Sequence, residues 1–333
     1  MHFKTPRLSM LDLVAVREGG TVRQALDLAV QTARKCEALG FARYWLAEHH
    51  NMPGIASSAT AVLIGHIAGH TEHIRVGSGG IMLPNHAPLV VAEAFGTLAE
   101  LYPGRIDLGL GRAPGTDGAT MRALRRDRVE TEEDFPRDVA ELQRLLGPAD
   151  PHARITATPG TNTNIPIWLL GSSLYSAQLA AMKGLPYAFA SHFAPRFLHQ
   201  AIALYRQMFR PSPMLEKPYV MVGVPVVAAP TDEEAQFLAT SSQQRVLGIL
   251  TGQRGKLPAP VAGFMQQIGP REQAAINDFL AMSVVGGLET IRHGFARVQQ
   301  ECEADELILV SDVYEPSLRL RSLEIAARAL QTG

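Results

Sequence analysis

The stretch QALDLAVQTARKCEALGFARYWLAEHH, residues 24–50, reads as one complete helix–strand unit. Apolar residues recur at helical spacing as far as Leu39, and Gly40 has the position of a C-cap. The run that follows, 43–48, is short, apolar and bounded by glycine and charge, as buried parallel strands are. It ends in Glu48-His49-His50, a polar cluster at the end of an apolar run.

The same alternation extends in both directions. Strands are expected near 7–16, 43–48, 75–82, 105–111, 166–171, 186–191, 219–228 and 305–311. Helical patterns fall at 21–39, 57–70, 87–102, 131–146, 173–183, 195–209, 231–247, 287–301 and 316–330. Lys183-Gly184-Leu185-Pro186 repeats the helix–glycine–strand logic of the first unit. Eight strands with helical crossovers favour a closed (β/α)8 TIM barrel over an open doubly wound sheet. A single domain over 1–333 is expected, since barrels routinely reach this size. Residues 147–165 and 248–283 break the repeat and read as loop insertions, which in barrels commonly cover the mouth.

Composition narrows the partners. Lys+Arg of 31 against Asp+Glu of 32 gives no electrostatic reason to expect nucleic acid or an acidic membrane. The N-terminus lacks a signal peptide, and no apolar run is long enough to span a bilayer, so a cytoplasmic protein is expected. The two cysteines, Cys36 and Cys302, sit in helical patterns and need no disulfide.

Barrel active sites lie at the C-terminal ends of the strands. Five consecutive strands end there in small or polar groups: Glu48-His49-His50, Gly79-Gly80, Gly109-Leu110-Gly111-Arg112, Gly171-Ser172-Ser173 and Ser191-His192. Packing alone explains such a series poorly. Each also has a plainer reading: a histidine braced by hydrogen bonds, a glycine making a turn, or Ser172, Ser173 and Ser176 capping the next helix.

Other chemistries fit less well. Gly109 to Gly115 has the spacing G-x-G-x-x-x-G with Pro114 inside it, which argues against a dinucleotide fingerprint. No G-x-S-x-G elbow is present. His49 and His50, adjacent on a strand, point to opposite faces and should not share one ion. His66 and His70, followed by His73, have ligand spacing but no accompanying carboxylate cluster, so no metal is expected.

Four segments in this order resemble the bacterial luciferase-like flavin-dependent monooxygenases: Trp45 to His50, Val76 to Pro84, Tyr102 to Arg112 and Ile167 to Ser173. The resemblance implies FMN as cofactor, with O2 and a small organic substrate as reactants and a separate NAD(P)H:flavin reductase as a source of reduced flavin. It places His49 beside the flavin ring as the catalytic residue, and Gly79-Gly80 against the ring through a non-prolyl cis peptide. Arg112 and the turn Gly171-Ser172-Ser173 with Ser176 would hold the phosphate, and His192 would line the cofactor site. Ser172 stands where the luciferase α chain has an acidic residue, and Gly111 where it has a reactive cysteine, which puts light emission in doubt. A deazaflavin-dependent reductase on the same fold, a flavin carrier and a metal-dependent barrel hydrolase are the rival readings. A homodimer through the helices at 57–70 and 87–102 is expected from Ala59, Ala61, Gly65, Ala68 and Gly69 on the first, and from Leu89, Val90, Ala92, Ala94 and Leu98 on the second.

Overall fold

The computed structural model describes residues 5–113, 118–124 and 133–331. Thr21 starts the first helix, α1 (Val22–Ala38), by accepting from the Gln24 amide while the Gln24 side chain accepts from the Thr21 amide. Ala25, Leu28, Ala29, Thr32, Ala33 and Cys36 form its buried stripe, and Gly40 takes the left-handed φ of +78° that ends it. Arg43–Leu46 (β2) then runs buried at every position.

Eight strands close the ring: β1 (Arg7–Asp12), β2, β3 (Arg75–Met82), β4 (Ile106–Gly111), β5 (Ile167–Gly171), β6 (Tyr187–Phe189), β7 (Val220–Ala228) and β9 (Glu306–Val310). All neighbours are parallel, β6 pairs with β7, β7 with β9, and β9 with β1, so no edge is left in the ring. This is the (β/α)8 TIM barrel. Around it lie α2 (Thr60–Ala68), α3 (Pro88–Leu101), α4 (Gly118–Leu124), α5 (Asp134–Leu146), α6 (Leu174–Lys183), α7 (Leu198–Met208), α8 (Asp232–Leu250), α9 (Pro270–Phe279), α10 (Leu288–Cys302) and α11 (Pro316–Gln331).

The structure corrects the sequence reading in four places. A ninth strand, β8 (Val284–Gly286), pairs with Val226–Ala228 at the far end of β7, outside the ring. Helices α4 and α9 lie in segments read without helices. The ladder of β1 stops at Asp12, because Val14 takes a φ of +53° that no regular strand allows. Finally, 147–165 joins the end of α5 to the start of β5, so it lies at the N-terminal side of the strands, opposite the mouth. There Pro159 and Gly160 pack so tightly on α3 that a Cβ on Gly96 would meet the Pro159 carbonyl oxygen at 2.4 Å. The 248–283 insertion does lie on the mouth side, where Leu257 bonds the backbone of Val16 and Glu18 beyond β1. Among the described residues no helix is long and apolar enough to cross a membrane.

Buried charge closes the N-terminal end of the barrel. Arg43 pairs with Asp107 at 2.7 Å and with Glu306 at 3.1 Å, and lies 4.7 Å from the centre of the Trp168 ring. Arg75 and the Trp45 indole also donate to Asp107, while Ser9 and Tyr219 donate to Glu306. Burial opposes the charge on Arg43, but Asp107 and Glu306 outweigh it and hold the guanidinium more firmly protonated than usual.

Candidate active site

At the opposite end, the segments that leave the strands carry the chemistry. Side chains alternate along the extended chain after β2, so Glu48 and His50 share one side. Glu48 is 1% exposed. Its Oε1 accepts from His50 Nε2 at 2.9 Å and from His86 Nε2 at 2.8 Å, and its Oε2 from the Met82 amide at 3.2 Å. Burial pushes this carboxyl up, but the bonds from His86, His50 and Met82 outweigh burial and hold it below the usual carboxylate range. His49, between the two, is half-buried, and its backbone amide donates to the Ser57 carbonyl at 3.1 Å.

The next strand carries the expected non-prolyl cis peptide, between Gly79 and Gly80. Its register against β4 shifts between Ser78 and Ile81, so a bulge lies at the rim. Both glycines are required by close approach: a Cβ on Gly79 would meet Leu11 Cδ1 at 2.6 Å, and one on Gly80 the Gly109 carbonyl oxygen at 2.7 Å.

Across the mouth, the exposed Arg112 guanidinium stacks 4.4 Å from the centre of the Tyr175 ring. Tyr175 is the second residue of α6, so the cation stands at that helix's N-terminus. Ser173 is the N-cap, its hydroxyl accepting from the Ser176 amide. The Ser176 hydroxyl is turned inward, donating to the Ser173 carbonyl at 2.9 Å and lying 3.1 Å from Tyr187 Oη, so it braces the turn from below. Gly171 makes room for it, since a Cβ there would lie 2.3 Å from Ser176 Oγ. Ser172 completes the turn. A guanidinium, a capped helix N-terminus and small side chains form a donor set suited to a dianionic phosphate.

His192 leaves β6 beside this turn. The residue as a whole is half-buried, yet its Nδ1 is buried with no hydrogen-bond partner among the described residues. It packs on Gly223, where a Cβ would come within 2.4 Å of it. Burial, and then the charge of His49, lower its pKa to about 4, so the ring is neutral at physiological pH. Pro114 and Gly115 of the glycine motif after β4 lie outside the described residues.

Sequence reasoning did not anticipate His86 or Tyr175. His86 lies four residues beyond β3, after a turn of 3-10 helix at Leu83–Asn85, and the pairing of β2 with β3 together with that turn brings it to Glu48. Tyr175 pairs with Arg112 across 63 residues of sequence, which no local pattern shows.

A (β/α)8 barrel that gathers imidazoles on one side of its mouth and an anion-suited helix end on the other has the frame of a small-molecule enzyme. The sequence fits the model of the luciferase-like monooxygenase family over residues 7–301, and the chain belongs to that family of oxidoreductases. A "Luciferase-like monooxygenase" of Escherichia coli (strain K12) is 51% identical over 326 residues, covering 98% of this chain and 97% of that protein. The N-acetyl-S-alkylcysteine monooxygenase of Bacillus subtilis (strain 168) is 39% identical over 188 residues, 55% of this chain and 56% of its own length. Among solved structures, apo-MsnO8 is similar with a TM-score of 0.91 and 35% identity, covering 98% of this chain and 99% of that one. Two more distant structures share the fold: the oxygenating constituent of 3,6-diketocamphane monooxygenase from Pseudomonas putida in complex with FMN (TM-score 0.73, 16% identity, 98% of each chain), and an F420-dependent secondary alcohol dehydrogenase (TM-score 0.70, 14% identity, 98% of this chain and 99% of that one).

Proposed function

We propose that this protein is a monooxygenase that uses reduced FMN and O2 to oxidise a small organic substrate. The observation that carries the reading is Arg112 held over Tyr175 at the N-terminus of α6, a cation beside the positive end of a helix. There Arg112, the Ser172-Ser173 turn and the helix amides bind the phosphate, with Ser176 and Gly171 supporting the turn. The Gly79-Gly80 stretch offers the ring a backbone surface free of Cβ atoms. Bound reduced flavin supplies the electrons and the activation of oxygen. His49 moves a proton at the reacting centre. Neutral His192, with its Nδ1 packed on Gly223, lines the same mouth without adding charge.

The test is a titration of FMN, riboflavin and the deazaflavin F420 into the protein, followed by oxygen uptake with the reduced cofactor that binds. FMN should bind well above riboflavin, which has no phosphate, and its reduced form should consume O2. Tight F420 binding with hydride transfer in the absence of O2 would replace this reading by the reductase. We also propose that a second copy of the chain covers α2 and α3, whose outward Val62, Val90 and Leu101 are 71%, 60% and 64% exposed. Light scattering at micromolar concentration should give twice the chain mass.

A further inference from the structure

We propose that Glu48, His50 and His86 form a binding site for a divalent transition-metal ion, with zinc as the fitting occupant. The three side chains come from separate positions, two in the segment after β2 and one beyond β3. Their ligand atoms all lie within 4.8 Å of one another. Two imidazole nitrogens and one carboxylate oxygen are a donor set for a divalent ion of borderline softness, and three protein ligands leave a coordination position open.

The geometry is close to what such an ion needs. Zinc takes nitrogen and oxygen ligands at about 2.0–2.1 Å in a tetrahedron, which sets neighbouring ligand atoms about 3.3 Å apart. The two imidazole nitrogens stand 2.8 and 2.9 Å from Glu48 Oε1. Admitting an ion therefore requires each ring to retreat by about half an ångström and to carry its single proton on Nδ1, so that the Nε2 lone pair that now bears the proton given to Glu48 is free to ligate. His50 and His86 side chains are 17% and 30% exposed, so they have room to do so and an ion can reach them from solvent. Glu48, at 1%, is fixed from behind, where the Met82 amide holds Oε2.

Charge points the same way. A carboxylate is buried stably when it is paired with a cation or coordinates a metal. Among the described residues no lysine or arginine pairs with Glu48; its partners are two imidazoles and an amide. A divalent ion would neutralise the Glu48 charge and tie the segment after β2 to the turn after β3. The proposal does not rest on the flavin reading, and binding is measured with neither flavin nor oxygen chemistry.

The experiment uses the full chain, stripped with a chelator and held at pH 8, where protons compete less for imidazole. Zinc is added by titration calorimetry, and Co2+ is followed by its visible absorption. The expected result is one ion per chain and a raised Tm, with affinity falling by about 100-fold or more in His86→Ala and in Glu48→Gln. The exposed pair His66 and His70, with ring centres 4.4 Å apart, is the competing place for a surface-bound ion. His66→Ala should leave binding unchanged. Lack of stoichiometric binding, or binding that survives His86→Ala, overturns the proposal, and loss in His66→Ala would place the ion at the surface pair instead. His86→Ala leaves the buried Glu48–His50 pair intact, so the test stands even where Glu48→Gln fails to fold.

Discussion

At the N-terminal end of the strands, Asp107 and Glu306 are fully buried, and each is met by a guanidinium and by further donors. At the C-terminal end, among the described residues, His192 keeps a buried nitrogen with no partner, and Glu48 is met by imidazoles and an amide but by no guanidinium. Both ends are rich in polar groups, so polarity does not tell them apart. Completeness of pairing separates Asp107 and Glu306 from Glu48 and His192, although Asp12, at the C-terminal end of β1, is itself paired with Arg319 at 2.9 Å. A saturated network holds strands in place and has nothing left to offer a ligand, whereas groups that are only partly paired can exchange partners when a ligand arrives.

The largest effect should come from breaking the saturated end. Arg43→Met removes the one cation shared by Asp107 and Glu306, leaving Glu306 with only neutral donors. Loss of one member of a buried ion network costs about 3–5 kcal/mol, read as a lower urea midpoint. FMN affinity of the remaining folded protein should be unchanged. A cost below about 1 kcal/mol would show that water already screens this layer, and the contrast between the ends would fail.

His49→Ala tests the other end. Turnover should drop by about 100-fold or more, the usual weight of a positioned acid or base, while FMN affinity stays within a few-fold and the urea midpoint barely moves. A variant that oxidises a confirmed substrate at the wild-type rate would make His49 part of the frame, and His192 the next group to test.

The two ends were unequally legible in the sequence. The ring strands declared themselves as short, largely apolar runs bounded by glycine, proline or charge, as strands buried on both faces tend to be. Strand β8 did not, because three residues between an insertion and a helix carry too little pattern. The segment 147–165 was recognisable as irregular, but its side of the barrel follows from what it connects and not from its composition. At the mouth, strand alternation correctly separated His49 from His50, and the same rule puts Glu48 with His50. What no local rule supplies is the third group, His86, which meets them only through the turn after β3.

Arg112→Ala gives the next smaller effect and sharpens the comparison within the mouth. On the proposed reading the guanidinium contributes a charge-assisted bond to phosphate, so FMN binding should weaken by about 1.5–3 kcal/mol. Riboflavin binding should be indifferent to the change. Equal losses for the two ligands would place the role of Arg112 in the packing of Tyr175 and not in phosphate capture.

The smallest effect is an acid limb that belongs to the mouth alone. Burial first, and the charge of His49 second, hold the folded-state pKa of His192 at about 4, against about 6.5 in an unfolded chain. Between those values the unfolded chain binds a proton that the folded chain refuses, so stability rises with pH across the window and is lost as pH falls from about 6.5 towards 4. Because His192 is only half-buried as a residue, solvent screening reduces the contribution to about 1–2 kcal/mol. Urea unfolding at pH 7.5 and pH 4.5 should show the wild type losing that much more than His192→Leu, whose side chain takes no proton. The carboxylates of the N-terminal layer are common to both proteins and cancel in the difference. Equal losses would mean that the folded ring accepts a proton as readily as the unfolded one. The unpartnered Nδ1 would then be reached by water, and the contrast in pairing between the two ends would rest on Glu48 alone.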